Sequence, residues 1–132
     1  MSLPPHFRYI ADTSVLMALF LEEGGHENVL PKLGSLAMSA VTYSELISKA
    51  QNKKIYSSEF MHDLGELRLH VLPFDAELAE IAGSLLPPEK KRGVSFADRA
   101  CLATARKYRL PVLTADRLWK DLGLDIPLEF IR

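Results

Sequence analysis

Short apolar segments alternate with helix-like segments along the chain, and this alternation limits the folds that it can adopt. Strand-like segments are predicted at residues 7–11, 36–40, 70–74, 111–114 and 126–130. Strands that lie parallel to each other need a long crossover between them, usually a helix. The alternation therefore predicts an α/β fold: a three-layer α/β/α sandwich with a central, mainly parallel sheet.

The segments between the strands have the spacing of amphipathic helices. One helix, expected to begin at Thr42, carries apolar residues at i, i+3, i+4 and i+7 from Tyr43 to Ala50. Others are predicted at residues 15–21, 60–67, 78–85 and 95–108, with a short helix after Asp116. Pro31 interrupts a further helical pattern at residues 26–33. The last strand contains Pro127, which a sheet tolerates only at its edge.

Composition fits one globular domain covering residues 1–132. The chain has 132 residues, of which 48% are hydrophobic and 25% charged, which argues against disorder. The longest apolar run, 15–21, falls short of the roughly 18 residues that a membrane span needs, and we expect no secretory leader. A single cysteine, Cys101, excludes an internal disulfide and favours the cytoplasm.

Four carboxylates lie where strands end or helices begin. Asp12 follows the first strand, Glu45 is predicted in the first turn of the next helix, Asp98 in the first turn of a later helix, and Asp116 follows the fourth strand. Ligands bind to open parallel sheets beyond the carboxyl ends of the strands. We therefore expect all four carboxylates at one edge of the sheet.

Each carboxylate alone has a purely structural interpretation. Acidic residues favour helix N-termini, where backbone N–H groups lack partners. Thr42-x-x-Glu45 reads as a capping box, Ser95-x-x-Asp98 resembles one, and Asp116 could be an N-cap. The four together are harder to explain in this way.

Asp98 favours a functional interpretation. A helical projection places it beside Cys101, Leu102 and Ala105, an apolar arc. A carboxylate that faces the protein must be paired, hydrogen-bonded or bound to a metal. Converging oxygen ligands, without a cysteine cluster or a suitable histidine pair, favour a hard cation such as Mg²⁺ or Mn²⁺, and such ions suit phosphate ester chemistry.

The charge distribution leaves a nucleic-acid substrate open. The net charge is −1, but without these four acids 13 acidic residues remain against 16 basic ones. Basic residues that could contact phosphates, or could simply be solvated, are Lys49, Lys53, Lys54, Lys90, Lys91, Arg92, Arg99, Arg106 and Arg117. Ser14 and Thr114, each two residues from a proposed ligand, could orient a carboxylate or serve as ordinary caps.

Four local sequences, in this order, resemble the PIN domain family, and most closely its VapC-type toxin ribonucleases. They are Asp12-Thr13-Ser14, Ser39-Ala40-Val41-Thr42 with Glu45, Ser95-Phe96-Ala97-Asp98, and Val112-Leu113-Thr114-Ala115-Asp116-Arg117. The resemblance runs from residue 9 to about residue 120. Its specificity comes from four acids in the right local contexts, because no single motif would suffice.

The resemblance implies a Mg²⁺- or Mn²⁺-dependent endoribonuclease, a homodimer, an RNA substrate and a neutralising antitoxin partner. Asp12, Glu45, Asp98 and Asp116 match the acidic quartet of the family, and Ser14 and Thr114 match its accompanying polar residues. Asp121 is a weaker fifth candidate. The resemblance further implies that Asp12, Asp98 and Asp116 anchor the metal, while Glu45 holds a second ion or orients water.

Two other interpretations stay open at this stage. The first is a catalytically silent PIN-like module that binds RNA or a protein through the same face. The second, more remote, is a phosphotransfer receiver with Asp12 as phosphoacceptor, although the sequence has no second acid beside Asp12.

Overall fold

Five short parallel strands form the centre of the computed structural model, which describes residues 3–132. The strands are β1 (Tyr9–Ala11), β2 (Leu36–Ser39), β3 (His70–Leu72), β4 (Val112–Thr114) and β5 (Leu128–Phe130). They lie in the order β3-β2-β1-β4-β5, and every neighbouring pair is parallel. The predicted parallel sheet is confirmed, and Pro127 directly precedes β5, an edge strand as predicted.

Helices connect the strands as the sequence pattern predicts. They are α1 (Thr13–Leu21), α2 (Ala40–Asn52), α3 (Ser58–Glu66), α4 (Ala76–Ser84) and α5 (Phe96–Tyr108). The short helix after Asp116 is a 3₁₀ helix, Arg117–Asp121. Residues 26–33 form two 3₁₀ turns instead of one helix, because Pro31 in the second turn has no N–H to donate. No helix among residues 3–132 is long and apolar enough to cross a membrane.

The sheet is buried on both faces, which produces three layers. Leu36, Met38 and Leu113 point into one core with Val15, Leu16 and Leu46, whereas Ala37 and Val112 point into a second core with Leu102 and Trp119. The alternation follows from the two-residue period of a strand. Because both faces are covered by helices, the two ends of the strands are the places where the sheet can meet a ligand.

The start of α2 corrects one prediction. The helix begins at Ala40, two residues earlier than predicted, and its N-cap is Ser39, whose Oγ accepts a hydrogen bond from the N–H of Val41 at 3.1 Å. Thr42 is buried inside the helix and its hydroxyl has no hydrogen-bond partner among the described residues. The predicted Thr42–Glu45 capping box is therefore wrong, and Glu45 lies in the second turn.

Gly25 shows how closely the C-terminal segment packs on the loop after α1. Gly25 has φ of +89°, and a Cβ there would lie 2.3 Å from the carbonyl oxygen of Ile131. Gly34 has a similar φ of +92°, but a Cβ there would have no neighbour within 4 Å. Comparing substitutions at these two glycines therefore separates the cost of backbone strain from the cost of steric overlap.

We expect Gly25→Ala to destabilise the fold by clearly more than Gly34→Ala. Both substitutions place a side chain in the left-handed region, at a cost of about 1–2 kcal/mol, and only Gly25→Ala adds the clash with Ile131. Urea unfolding monitored by circular dichroism measures both variants. Equal losses would show that the C-terminal segment does not pack against Gly25 in solution.

Candidate active site

The four predicted acids lie at the carboxyl edge of the sheet. Asp12 directly follows β1, Glu45 is in α2, and Asp116 comes two residues after β4. Asp98 is in the first turn of α5, which runs antiparallel to the strands because it leads back to the amino end of β4. The N-terminus of α5 therefore lies at the same edge as the ends of β1 and β4.

Asp12 is the buried centre of this group. Its side chain is 6% exposed and, although it occupies the N-cap position of α1, it makes no capping hydrogen bond. Instead its Oδ2 accepts hydrogen bonds from the hydroxyls of Ser14 at 2.7 Å and Thr114 at 3.0 Å. The capping interpretation therefore does not account for Asp12.

Ser14 and Thr114 connect the ends of the two central strands. The Oγ of Ser14 accepts from the N–H of Ala115 at 2.9 Å, and the Oγ1 of Thr114 accepts from the N–H of Asp116 at 3.0 Å. Each hydroxyl thus accepts from the β4 side and donates to Asp12. Through these two hydroxyls, the orientation of Asp12 at the end of β1 is fixed by backbone N–H groups that follow β4.

Glu45 is held by a residue that the sequence does not single out. The hydroxyl of Thr13, 1% exposed, donates to Oε1 of Glu45. The two residues are 32 positions apart, so no local spacing links them. The only signal in the sequence is that Thr13 is a polar residue next to Asp12 at the start of an apolar helix.

Asp98 and Asp116 do cap helices, as their structural interpretation predicts. Asp98 and Ser95 form a full capping box, with Oδ2 of Asp98 accepting from the N–H of Ser95 at 2.9 Å. Asp116 is the N-cap of the following 3₁₀ helix, with Oδ1 accepting from the N–H of Leu118 at 3.1 Å. Capping, however, uses only one oxygen of each carboxylate.

The four carboxylates share one arrangement: a tethered oxygen and an available one. The hydrogen bonds just described engage Oδ2 of Asp12, Oε1 of Glu45, Oδ2 of Asp98 and Oδ1 of Asp116. Across residues 3–132, none of the four lies within ion-pair distance of a lysine, arginine or histidine. The other oxygen of each carboxylate accepts none of these hydrogen bonds, and no lysine, arginine or histidine among residues 3–132 neutralises the group.

The pKa values of the central acids reflect this crowding. Burial raises the pKa of Asp12 above its ordinary value of 3.8, and the charge of Asp98 raises it further. Burial likewise raises the pKa of Asp98, with added repulsion from Glu45 and Asp116. Asp98 therefore lies within electrostatic reach of each of the other three acids.

Cys101 is close to the same acids but is buried in the core. Its side chain is fully buried, and its Sγ lies 3.9 Å from the carbonyl oxygen of Ala11. Burial raises the pKa of the thiol well above its usual range, and the charges of Asp12, Asp98 and Glu45 raise it further. Cys101 is therefore a small buried hydrophobe of the core.

The donor chemistry of the site fits Mg²⁺ or Mn²⁺. Converging carboxylate oxygens without a counter-charge are the ligands that these ions prefer. No three histidine, cysteine, aspartate or glutamate side chains in the described part of the chain form a ready-made metal-ligand group. Mg²⁺ is usually held by only one or two carboxylates and keeps several waters, so it would not need such a group.

Two shallow depressions border the acids. One, of about 400 Å³, is lined by Ser14, Lys49, Asn52 and Lys53 among others. The other, of about 510 Å³, contains Glu45 and Phe96. Asp121 is exposed at the end of the last 3₁₀ helix, with no contact that links it to the acids, and Trp119 is buried in the core.

The chain matches a family model and several solved structures. The family model, described as the PIN domain, matches residues 9–124. A chain of the DNA-bound VapBC complex from Salmonella typhimurium is 22% identical, with a TM-score of 0.74 and coverage of 96% of this chain and 99% of that chain. A chain of a toxin–antitoxin complex from Klebsiella pneumoniae is 20% identical, with a TM-score of 0.68 and coverage of 94% and 98%.

A third similar structure is FitAcB from Neisseria gonorrhoeae. Its matching chain is 25% identical, with a TM-score of 0.63 and coverage of 91% of this chain and 95% of that chain. No curated protein has a matching sequence. The predicted PIN-like α/β sandwich is confirmed by these likenesses.

We expect Asp12→Asn to stabilise the metal-free protein at neutral pH. A raised pKa means that the folded state binds the Asp12 proton more tightly than the unfolded chain, so ionisation costs stability as pH rises through the folded-state pKa. Asparagine removes this charge and keeps an oxygen that accepts from Ser14 and Thr114. Urea unfolding in EDTA should show a gain that shrinks as pH falls toward 3.8.

Asp75→Asn is the control, for which we expect the opposite change in stability. The hydrogen bond from the N–H of Leu78 holds the pKa of Asp75 below its usual range, so its ionised form favours the fold. Asp75→Asn should therefore lose stability at neutral pH. Two variants that respond to pH in the same direction would contradict the buried, repulsive environment assigned to Asp12.

We expect Thr13→Val to weaken Mn²⁺ binding while preserving the fold. Valine has nearly the same shape as threonine but cannot donate to Glu45, and loss of such a supporting hydrogen bond costs about 10–100-fold in metal affinity. Titration calorimetry with Mn²⁺ measures the change, and Thr13→Ser, which keeps the hydroxyl, is the matched control. Equal affinities for wild type and Thr13→Val would show that Thr13 does not support the site.

Proposed function

The chain belongs to the PIN domain family, whose members are generally nucleases, and we propose that it is a Mg²⁺- or Mn²⁺-dependent endoribonuclease. Residues 9–124, nearly the whole chain, match the family model. The observation that carries the proposal is the set of four carboxylates, each tethered through one oxygen and without a protein cation.

Each acid has a proposed task that agrees with its hydrogen bonds. Asp12, Asp98 and Asp116 would hold the ion through their untethered oxygens, and Ser14 and Thr114 keep Asp12 in one orientation. Glu45, fixed by Thr13, would hold a second ion or accept a hydrogen bond from the attacking water at Oε2. A bound divalent ion would supply the activation of water and the polarisation of the phosphoryl group.

The proposed reaction is hydrolysis of a phosphodiester bond. The water loses a proton as its oxygen bonds to phosphorus in line with the departing oxygen. The phosphorus–oxygen bond of the chain breaks, and the departing oxygen takes up a proton. One end thus leaves as a hydroxyl while the other keeps the phosphate. The four acids carry no counter-charge of their own, so they repel the phosphates of an RNA strand until an ion is present. Metal dependence therefore follows from the same charges that form the site.

RNA as the substrate is supported by the surroundings of the acids. Lys49 and Lys53 lie four residues apart on α2, one and two turns beyond Glu45, and both line the depression next to Ser14. Their ammonium groups make no ion pair within residues 3–132, so they are available to phosphates that lead away from the site.

An antitoxin partner and a homodimer belong to the same proposal. The similar chains come from complexes whose names include VapBC and a toxin–antitoxin complex. By analogy we propose that this chain is the toxin of such a pair, acts as a homodimer in the cytoplasm, and is neutralised by a protein that covers the acids.

The alternative is a catalytically silent PIN-like module that binds RNA or a protein. It is favoured by two observations: Asp98 and Asp116 already serve as caps, and the described residues contain no ready-made group of three metal ligands. The phosphotransfer receiver loses support, since no lysine among residues 3–132 pairs with Asp12.

We expect Asp98→Asn to abolish RNA cleavage and to leave the fold intact. Asparagine still accepts a hydrogen bond from the N–H of Ser95, but it removes the charge that lies near the other three acids. The measure is cleavage of labelled single-stranded RNA in Mn²⁺, with DNA of the same sequence in parallel, and the expected loss is about a hundredfold or more.

Asp75→Asn is the matched control for this experiment. Asp75 also caps a helix with its carboxylate, but it pairs with Lys107 outside the group of four acids. It should keep full activity. Undiminished cleavage by Asp98→Asn, or cleavage by wild type in EDTA, would favour the silent module and a contaminating nuclease.

A further inference from the structure

Phe96 is a large apolar side chain left in solvent beside the acids. It is 54% exposed, although it begins α5 and precedes Asp98 by only two residues. Leaving an apolar ring in water forfeits stabilisation that burial would provide. The ring therefore stays exposed at the edge of the acidic site at a cost in stability.

The exposed ring is supported by a second aromatic residue. The rings of Phe96 and Phe74 meet edge to face, with centroids 5.6 Å apart and an interplanar angle of 84°. This is a favoured geometry for an aromatic pair and limits the movement of Phe96. Phe96 thus exposes a flat aromatic face of limited mobility, which suits contact with a flat partner.

Phe96 forms one wall of the depression of about 510 Å³ introduced above. Phe96 and Ala97 from α5 face Val41, Ser44, Glu45 and Ser48 from α2. The walls are apolar, the two serines offer hydroxyls, and Glu45 is the charged residue in the lining. The depression therefore begins at one of the four acids and continues away from it as an uncharged surface.

We propose that this depression binds a nucleobase of the RNA, stacked on Phe96, in the nucleotide next to the scissile phosphate. The inference rests on the proposed nuclease function and adds a base-binding site to it. Stacking on an aromatic side chain accepts any base, because every base has a π-face. Ser44 and Ser48 can donate or accept, so they can meet the edge of more than one base.

Charge decides which part of an RNA strand lies here. A phosphate in this depression would be repelled by Glu45 and would meet no basic side chain in the lining. The second depression contains Lys49 and Lys53 against one acid, Glu23, so its lining has a net positive charge that suits phosphates. The base therefore lies on the Phe96 side of the acids, and the backbone that follows lies on the lysine side.

The first test removes the ring and the base separately. Wild type, Phe96→Ala and Phe96→Trp are compared on a short single-stranded RNA and on the same RNA with an abasic nucleotide on either side of the mapped cut. We expect wild type to lose about tenfold in kcat/KM on one of the abasic RNAs. Phe96→Ala should lose as much on intact RNA and little more on the abasic RNA, and Phe96→Trp should be near wild type.

Tyr56→Ala is the matched control. Tyr56 is 46% exposed and also contacts a phenylalanine, Phe60, but it does not line either depression. It should cleave both RNAs like wild type. If the abasic penalty is the same in Phe96→Ala as in wild type, the ring and the base act independently and the proposal is wrong.

A binding measurement separates this proposal from the nuclease activity. In Mg²⁺ and low salt, RNA that carries 2-aminopurine and a non-hydrolysable linkage at the mapped cut should lose fluorescence on binding to wild type and much less on binding to Phe96→Ala. Phe96-dependent quenching without cleavage in any metal would sustain the base site and overturn the nuclease. Cleavage together with quenching that does not depend on Phe96 would sustain the nuclease and overturn the base site.

A protein partner is the competing occupant of the depression. If Phe96 instead contacts a second copy of the chain, Phe96→Ala should lower the mass measured by light scattering and leave both RNA measurements unchanged. If it contacts another protein, the two RNA measurements are again unchanged, and Phe96→Leu, which keeps apolar bulk without a π-face, should equal wild type in both. Either result would overturn the base-binding proposal.

Discussion

Repulsion between carboxylates is the constraint on which the rest of the site depends. Burial raises the pKa of Asp12 and the charge of Asp98 raises it further, and burial likewise raises the pKa of Asp98, with added repulsion from Glu45 and Asp116. No lysine or arginine pairs with any of the four among residues 3–132. The fold answers this repulsion with hydroxyl and backbone N–H donors that hold one oxygen of each carboxylate. Such donors orient the charges without neutralising them, so binding of a cation would still be favourable.

The parallel sheet is what brings these charges together. β1 and β4 are adjacent, so their carboxyl ends place Asp12 beside Thr114 and Asp116. The antiparallel direction of α5 returns Asp98 to the same edge, and the early start of α2 moves Glu45 into its second turn, within reach of Thr13. The free energy for holding the group comes from the two apolar cores on either side of the sheet.

Local patterns predicted what depends on neighbouring residues, and missed what depends on distant ones. The Ser95–Asp98 capping box and the alternation of strands with helices both follow from local sequence patterns, and the structure contains them. The Thr42–Glu45 box failed because Ser39, at the end of β2, already caps the helix. The Thr13–Glu45 contact and the exposed ring of Phe96 depend on how α1, α2, α4 and α5 pack together. Residue spacing within one segment does not indicate this packing.

The carboxyl ¹³C NMR titration of Asp12, with and without Mg²⁺, tests the central claim most directly. The signal is assigned by its absence in Asp12→Asn. Without metal, the pKa should lie above 3.8, and it should fall toward its ordinary value in Asp98→Asn, which removes the neighbouring charge. With Mg²⁺, the pKa of Asp12 in the wild type should fall below its metal-free value, because the proton and the ion compete for the same carboxylate. An Asp12 titration that Mg²⁺ does not change would show that the four acids are not a metal site.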